Sequence, residues 1–255
     1  MLEQRPCGCD PHTNHASPML RLDLSRDDPA ANLAIDETLL VSAEQGGEEV
    51  LRFWQFSRPV VVIGRGSKIR DEVDIDFCES RSISIMRRCS GGAAIVAGPG
   101  CWLYSVVLDL VLRPELRNVD LAHQFVMGHL AAATKMQRPE IQLEGICDLT
   151  YGAKKFSGNS LRVAKDHLLY HGTILMAVDL PLVSGCLRTP PRQPDYRVER
   201  SHEEFITAIE IDSADLSDCL AARLGATQPM TSLPDREILA GFESKYASKD
   251  WIWRH

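Results

Sequence analysis

The feature that most limits what this chain can fold into is a pair of β-like runs, 155–163 and 168–178, separated only by Ala164-Lys165-Asp166-His167. A connection this short joins antiparallel neighbours, because a parallel pair needs a crossover of a dozen or more residues. Alternating or β-branched segments at 19–24, 49–56, 59–63, 82–86, 93–96, 101–110, 141–143 and 147–151 predict further strands. The runs 49–56 and 59–63 read as partners joined by a turn near Ser57-Arg58, and 93–96 and 101–110 as partners around Gly98-Pro99-Gly100. Asp28-Pro29 supplies an N-cap followed by a pre-set first helical residue. The helix it opens carries Leu33, Ile35, Leu39, Leu40 and Ala43 and stops at Gly46-Gly47. Further helices are predicted at 74–81, 120–136, 215–224 and 235–246, and the proline-rich stretch 188–197 is a loop. Antiparallel strands with helices between them define an α+β fold. Residues 19–255 form one domain in this reading, and 1–18 a disordered tail.

Charge and cysteine usage narrow the function classes. With 28 Lys+Arg against 35 Asp+Glu, the net charge of -7 excludes a nucleic-acid binder that relies on bulk positive charge. No apolar run approaches a membrane span, and the first residues carry no signal-peptide core, so a cytoplasmic protein without a membrane partner is expected. The 8 cysteines are scattered, which fits free thiols in a reducing compartment. Cys7, Cys9, His12 and His15 lie close together, but a single residue separates the thiols where structural zinc sites use two to four. No metal is expected there. Nothing in the sequence asks for an oligomer, and a monomer is the default.

Three short segments carry chemistry. In Arg87-Arg88-Cys89-Ser90-Gly91-Gly92-Ala93-Ala94, two arginines precede a glycine turn whose amides no side chain shields, a way to hold a phosphate or carboxylate. In Lys154-Lys155-Phe156-Ser157-Gly158-Asn159-Ser160, a lysine followed by a Ser-Gly turn presents an ammonium where small residues let a substrate approach. In Tyr170-His171-Gly172-Thr173, the histidine sits on the return run, where it could polarise a ligand or serve structure alone.

The ordered set RRCSGGAA, CDL, KKFSGNS and HGTIL resembles the lipoate-protein ligase and octanoyltransferase family, from about Leu20 to the terminal Lys245–Trp253 region. The resemblance implies the catalytic fold shared with biotin protein ligases and class II aminoacyl-tRNA synthetases, a mixed, mainly antiparallel sheet flanked by helices, without the accessory C-terminal domain of larger ligases. It implies that lipoate is activated with ATP and magnesium to lipoyl-AMP, and that the lipoyl group passes to a lysine of an apo lipoyl domain. Such domains belong to 2-oxoacid dehydrogenases or are the glycine cleavage H protein. Lys155 matches the essential lysine and Asp148 the acid of the family's Asn-Asp-Leu element. Arg88 and Ser90, Gly91, Gly92, Ala93, Ala94, Ile95 and Val96 would border the nucleotide and acyl pocket. Gly158, Asn159, His171, Gly172 and Thr173 would border it too. Arg65, in Val62-Ile63-Gly64-Arg65, is similar to the glycine-arginine element of biotin ligases.

The chain departs from the family pattern at Ala93, where a third glycine is usual, at Ala97-Gly98 in place of His-Asp, and at Cys101 in place of Asn. Cys147 opens the alternative chemistry. One branch of the family carries an acyl group, octanoate or lipoate, on a cysteine shortly before the lysine motif, without ATP. Cys147 lies in that region, and a thiolate near a lysine is a competent nucleophile for thioester exchange. A degenerate member that only binds an acyl ligand is the non-enzymatic alternative.

Overall fold

The computed structural model describes residues 19–233 and 236–255. The elements are β1 (Leu20–Asp23), α1 (Pro29–Glu44), β2 (Val50–Trp54), β3 (Val60–Ile63), α2 (Ile69–Glu72), α3 (Ile75–Ser80), β4 (Ser84–Arg87), β5 (Ile95–Ala97) and β6 (Cys101–Asp109). There follow α4 (Val119–Lys135), β7 (Gln142–Glu144), β8 (Asp148–Tyr151), β9 (Lys154–Val163), β10 (His167–Leu175), α5 (Leu180–Cys186), α6 (His202–Phe205), α7 (Ser213–Leu224), β11 (Gln228–Pro229), α8 (Arg236–Ala247) and α9 (Lys249–Ile252). Cys7, Cys9, His12 and His15 lie outside the described residues.

Eight strands form one sheet in the order β11-β1-β2-β6-β10-β9-β8-β7, and β4-β3-β5 form a second. The architecture is α+β, as expected. β1 runs parallel to β2 and β11, β3 runs parallel to β4, and every other pairing is antiparallel. The expected hairpin is the β9–β10 pair, with Leu168 opposite Val163. The expected β2–β3 and β5–β6 pairs do not form. β2 pairs with β1 and β6, while β3 pairs with β4 and β5 in the other sheet. The short turns there carry the chain from one sheet to the other. Helices α2, α5 and α6 occupy segments that carried no helical periodicity, each being too short to show it.

The large sheet is covered on both faces. Along β6, Cys101, Leu103 and Val107 enter a core shared with α1 and the small sheet. Trp102, Tyr104, Val106 and Leu108 enter a second core with α4 and α7. Helix α1 is buried almost all round because the sheet, the small sheet and α8 enclose it, so Asn32, Asp36 and Glu37 lie in the interior and need polar partners. Asp28 caps it as read, accepting from Ala30 N at 3.0 Å. Among the described residues no helix is long and apolar enough to cross a membrane.

Candidate active site

A cavity of about 210 Å³ opens on the α1 face of the large sheet. Leu33, Trp54, Phe56, Val62 and Leu103 make its walls apolar, while Lys155, His171, Thr173, Glu72, Arg197 and His202 supply polar groups. An apolar slot with few convergent polar groups suits an acyl chain ending in a charged head.

The lysine reaches this face by a break in the strand. Ser157 pairs with Leu149 but Lys155 pairs with Thr150, so the β8–β9 register shifts between them. Such a bulge re-aims side chains. Here Phe156 goes into the second core, and the Lys155 ammonium lies over Gly158 on the first. A Cβ on Gly158 would stand 2.7 Å from Lys155 Nζ, which is why this position takes glycine. Ser157-Gly158 is therefore mid-strand, not the turn that was expected. Lys155 Nζ pairs with Asp148 Oδ1 at 2.8 Å, and Asp148 Oδ2 accepts from the Tyr196 hydroxyl at 2.7 Å. The cation and acid expected to act together are thus in contact, and the 188–197 loop is tied to them.

The glycine loop is built differently from the expectation. Its arginines face inward. Arg87 donates to the carbonyls of Gly64 (2.8 Å), Ser67 (2.8 Å) and Ile252 (2.9 Å). Arg88 donates to Val62 O at 3.2 Å, Ala93 O at 3.1 Å, Ser90 Oγ at 3.1 Å and Gly91 O, and burial pushes its guanidinium down to about 10. Both charges hold the loop's shape, because buried donors take the nearest carbonyls. Gly92 has φ 87, a left-handed turn that faces the Arg88 guanidinium. The Ala94 amide is already taken, donating to Glu72 Oε2 at 2.6 Å.

On β10, His171 joins a chain that sequence reasoning missed. Its Nδ1 lies 3.1 Å from Asp36 Oδ2 and its Nε2 lies 2.5 Å from Ser90 Oγ. Asp36 also accepts from Arg52 at 2.7 Å and from Ser105 Oγ at 2.7 Å. Burial pushes the Asp36 carboxyl up, but Arg52 and His171 outweigh it and hold the group below the usual carboxylate range. An ionised Asp36 accepts the His171 Nδ1–H, which fixes the ring so that Nε2 meets the Ser90 hydroxyl. A carboxylate on the inner face of an apolar helix was the available signal.

The structure gathers most of the expected site residues. Lys155, Arg88, Gly92, Ala93, Ala94, Ile95, Val96, Gly158, Asn159, His171, Gly172 and Thr173 all line the cavity. Arg65, Ser90 and Gly91 line a separate shallow cleft with Arg162 and Arg254, on the other side of the glycine loop. Of the positions that depart from the family pattern, only Ala93 reaches the cavity; Ala97 and Cys101 are buried. Asn159 is committed to the fold, accepting from Tyr104 Oη at 2.6 Å and donating to Cys147 O at 2.8 Å. Cys147 does not line the cavity. Its thiol points to Asn159 O at 3.1 Å, and burial, reinforced by Asp148, pushes its pKa up despite Lys155.

A lysine–carboxylate pair at the head of an apolar cavity, under a glycine loop on an antiparallel sheet, defines an acyl-activating or acyl-transferring enzyme. The chain belongs to the lipoyl protein ligase A/B catalytic domain family, whose model matches residues 28–217. It is 24% identical to lipoate-protein ligase A subunit 1 of Thermoplasma acidophilum, over 86% of this chain and 90% of that protein. It is 26% identical to octanoyltransferase LipM of Carboxydothermus hydrogenoformans, over 88% of this chain and 94% of that one. The fold matches that of a bi-partite lipoate protein ligase from Thermoplasma acidophilum with TM-score 0.77 and 20% identity, covering 94% of this chain and 97% of that one. It also matches a lipoate-protein ligase A solved with bound ATP, with TM-score 0.74 and 19% identity, covering 93% and 99%.

Proposed function

We propose that the protein is a lipoate-protein ligase that activates lipoate with ATP and passes the lipoyl group to a lysine of an apo lipoyl domain. The observation that carries this reading is that, among the described residues, the cavity holds a lysine paired to a carboxylate but no cysteine. A ligase needs a cation between two anions, whereas thioester exchange needs a presented thiolate.

In the first step a lipoate carboxylate oxygen attacks the α-phosphorus, and the bond to the β-phosphate breaks with release of pyrophosphate. Lys155 is the group to draw both anions together, exchanging part of its pairing with Asp148 for oxygens of the substrate. In the second step a neutral acceptor amine attacks the acyl carbon, the acyl–phosphate C–O bond breaks, and AMP leaves with the electron pair. The amine proton goes to solvent or to a basic group of the site. Magnesium enters with ATP as substrate. Among the described residues no three His, Cys, Asp or Glu side chains cluster to hold a metal, so phosphate oxygens would supply most of its ligands, with Asp148 and Glu72 the carboxylates at hand.

The second reading, an ATP-independent octanoyl transfer, is favoured by the similarity to LipM along 88% of the chain. The test is the intact mass of an apo lipoyl domain incubated with the protein. One tube holds lipoate and Mg-ATP, the other octanoyl-acyl carrier protein without nucleotide. A lipoyl gain in the first tube alone supports the ligase. An octanoyl gain in the second overturns it. The bi-partite character of one relative supports a parallel pair of tubes supplied with an accessory ligase subunit.

A further inference from the structure

Arg88, Arg188, Arg192 and Arg197 line the cavity; Arg188 and Arg192 are exposed, and of the two buried guanidiniums only Arg197 keeps a donor that the described residues do not meet. It closes a short turn, Asp195–Arg197, in the proline-rich connection after α5, and it is only 4% exposed. Its Nε donates to Arg200 O at 3.0 Å, and the group lies 4.9 Å above the Phe205 ring. Its Nη2 is buried without a hydrogen-bond partner. A buried charged donor left unmet is costly, and most native structures supply a partner. The neighbours do so elsewhere. Arg52 and Arg88 are spent on carbonyls and Asp36, and Arg200 on the carbonyls of Ala153, Tyr196 and Arg197. Arg87 also leaves one nitrogen unmet, but Arg87 does not line the cavity.

Charge sharpens the point. Among the described residues Arg197 forms no ion pair, and burial and nearby Arg200 both push its guanidinium pKa down. The cavity residue His202, whose pKa is lowered by burial and by Arg197, adds no negative charge either. A buried cation with no anion opposite is costly, and an arriving anion relieves that cost. The position fits an anionic head group. The preceding residue, Tyr196, holds Asp148, which in turn holds Lys155, so Arg197 is tethered beside the reacting end of the cavity.

We propose that Arg197 is an oxyanion seat of this cavity, in which its guanidinium turns its unmet donors to a phosphoryl or carboxylate oxygen of the bound substrate as a second cationic contact beside Lys155. Under the ligase reading on which this builds, the source is a phosphoryl oxygen of the nucleotide. A carboxylate oxygen of the free acid is the other source, and the experiment separates them.

The test uses the full chain and two variants, Arg197→Met, which keeps packing on Phe205, and Arg197→Lys. Each protein is melted without ligand, then titrated calorimetrically with Mg-ATP and, separately, with sodium octanoate. The expected result is that R197M melts no lower than wild type, since a buried unmet charge has been removed. Its affinity for one of the two anions is expected to fall about 10- to 100-fold. R197K is expected not to restore that affinity, because an ammonium lacks the planar fork. The anion whose affinity falls identifies the source. A lower melting temperature with both affinities unchanged would make Arg197 a packing residue and overturn the proposal. Wild-type protein that binds octanoate but not Mg-ATP refutes the ligase reading alone, and the seat is then judged on the octanoate arm. Wild-type protein that binds neither anion refutes the seat.

Discussion

Replacing Gly158 with alanine tests the placement of Lys155 without touching the lysine. The new Cβ would stand 2.7 Å from Nζ and 2.8 Å from Cε of Lys155, and 3.8 Å from Asp148 Oδ1. Ordinary non-bonded contact is about 3.5–4.0 Å, so the ammonium must retreat by roughly 1 Å. The lysine is the flexible partner, 28% exposed, and it moves more easily than the strand. Gly158 does not have positive φ, so alanine fits its backbone and lowers the entropy of the unfolded chain, worth about 0.4–1 kcal/mol in favour of folding. Stability should therefore hold or rise slightly. Activity should not, because a misplacement of about 1 Å at a reacting centre costs on the order of 10²-fold, or about 2.7 kcal/mol of barrier. The assay is the initial rate of acyl mass gain on an apo lipoyl domain, with a thermal melt followed by circular dichroism on the same preparation. Gly158→Ala that turns over at the wild-type rate would show that the ammonium need not sit over this strand. Loss of activity together with loss of the cooperative melt would refute the claim that the lysine, not the backbone, yields.

Lys155→Ala should reduce acyl transfer by at least about 10²-fold, the usual cost of removing one preorganised charge donor, and the same mass assay reads it. Cys147→Ala should retain transfer within about 2-fold, since its thiol gives its hydrogen bond to Asn159 O and is disfavoured as thiolate; a drop of the size expected for a nucleophile would restore the covalent route. Asp36→Asn leaves the fully buried Arg52 without its anion and should cost about 3–5 kcal/mol, measured by urea denaturation. Asp36 and Glu37 both have depressed carboxyl pKa values. Their contribution is present above the unfolded carboxylate range near pH ~4 and is lost as the pH falls through the lower folded values. Acid melts should show stability falling below about pH 4, and a smaller fall once Asp36 is replaced.

Local signals were legible where the chain itself enforces them. Asp28 caps α1 with its own side chain, and the short turn between β9 and β10 makes those two strands antiparallel neighbours. The segments that the resemblance singles out lie together: Lys155 and Asp148 sit on neighbouring strands and touch, and Ser160 reaches the glycine loop at Gly91 O at 3.0 Å. What pairs across long separations was not legible. Asp36 meets His171 135 positions away, and Tyr196 meets Asp148 across 48. No local periodicity encodes such meetings; they follow from which sheet face each residue occupies. The arginines of the glycine loop misled for a related reason. A sequence shows their charge but not that burial makes backbone carbonyls their first available partners. The Lys155 bulge was invisible too, since it arises from the register of β8 against β9.

The residues around Trp251 close the glycine loop from behind: Arg87 donates to the carbonyls of Trp251 and Ile252, and the Trp251 indole donates back to Arg87 O at 2.8 Å. Arg87 is 0% exposed, so its guanidinium depends on carbonyls made some 164 positions later. The latch on the glycine loop is therefore a late piece of the chain: the strands of the large sheet precede it, and Arg87 gains the Trp251 and Ile252 carbonyls only once those residues are in place. A chain cut before Trp251 would keep the Arg87 bonds to Gly64 and Ser67 but leave Arg87 Nε buried without an acceptor, loosening the glycine loop from behind.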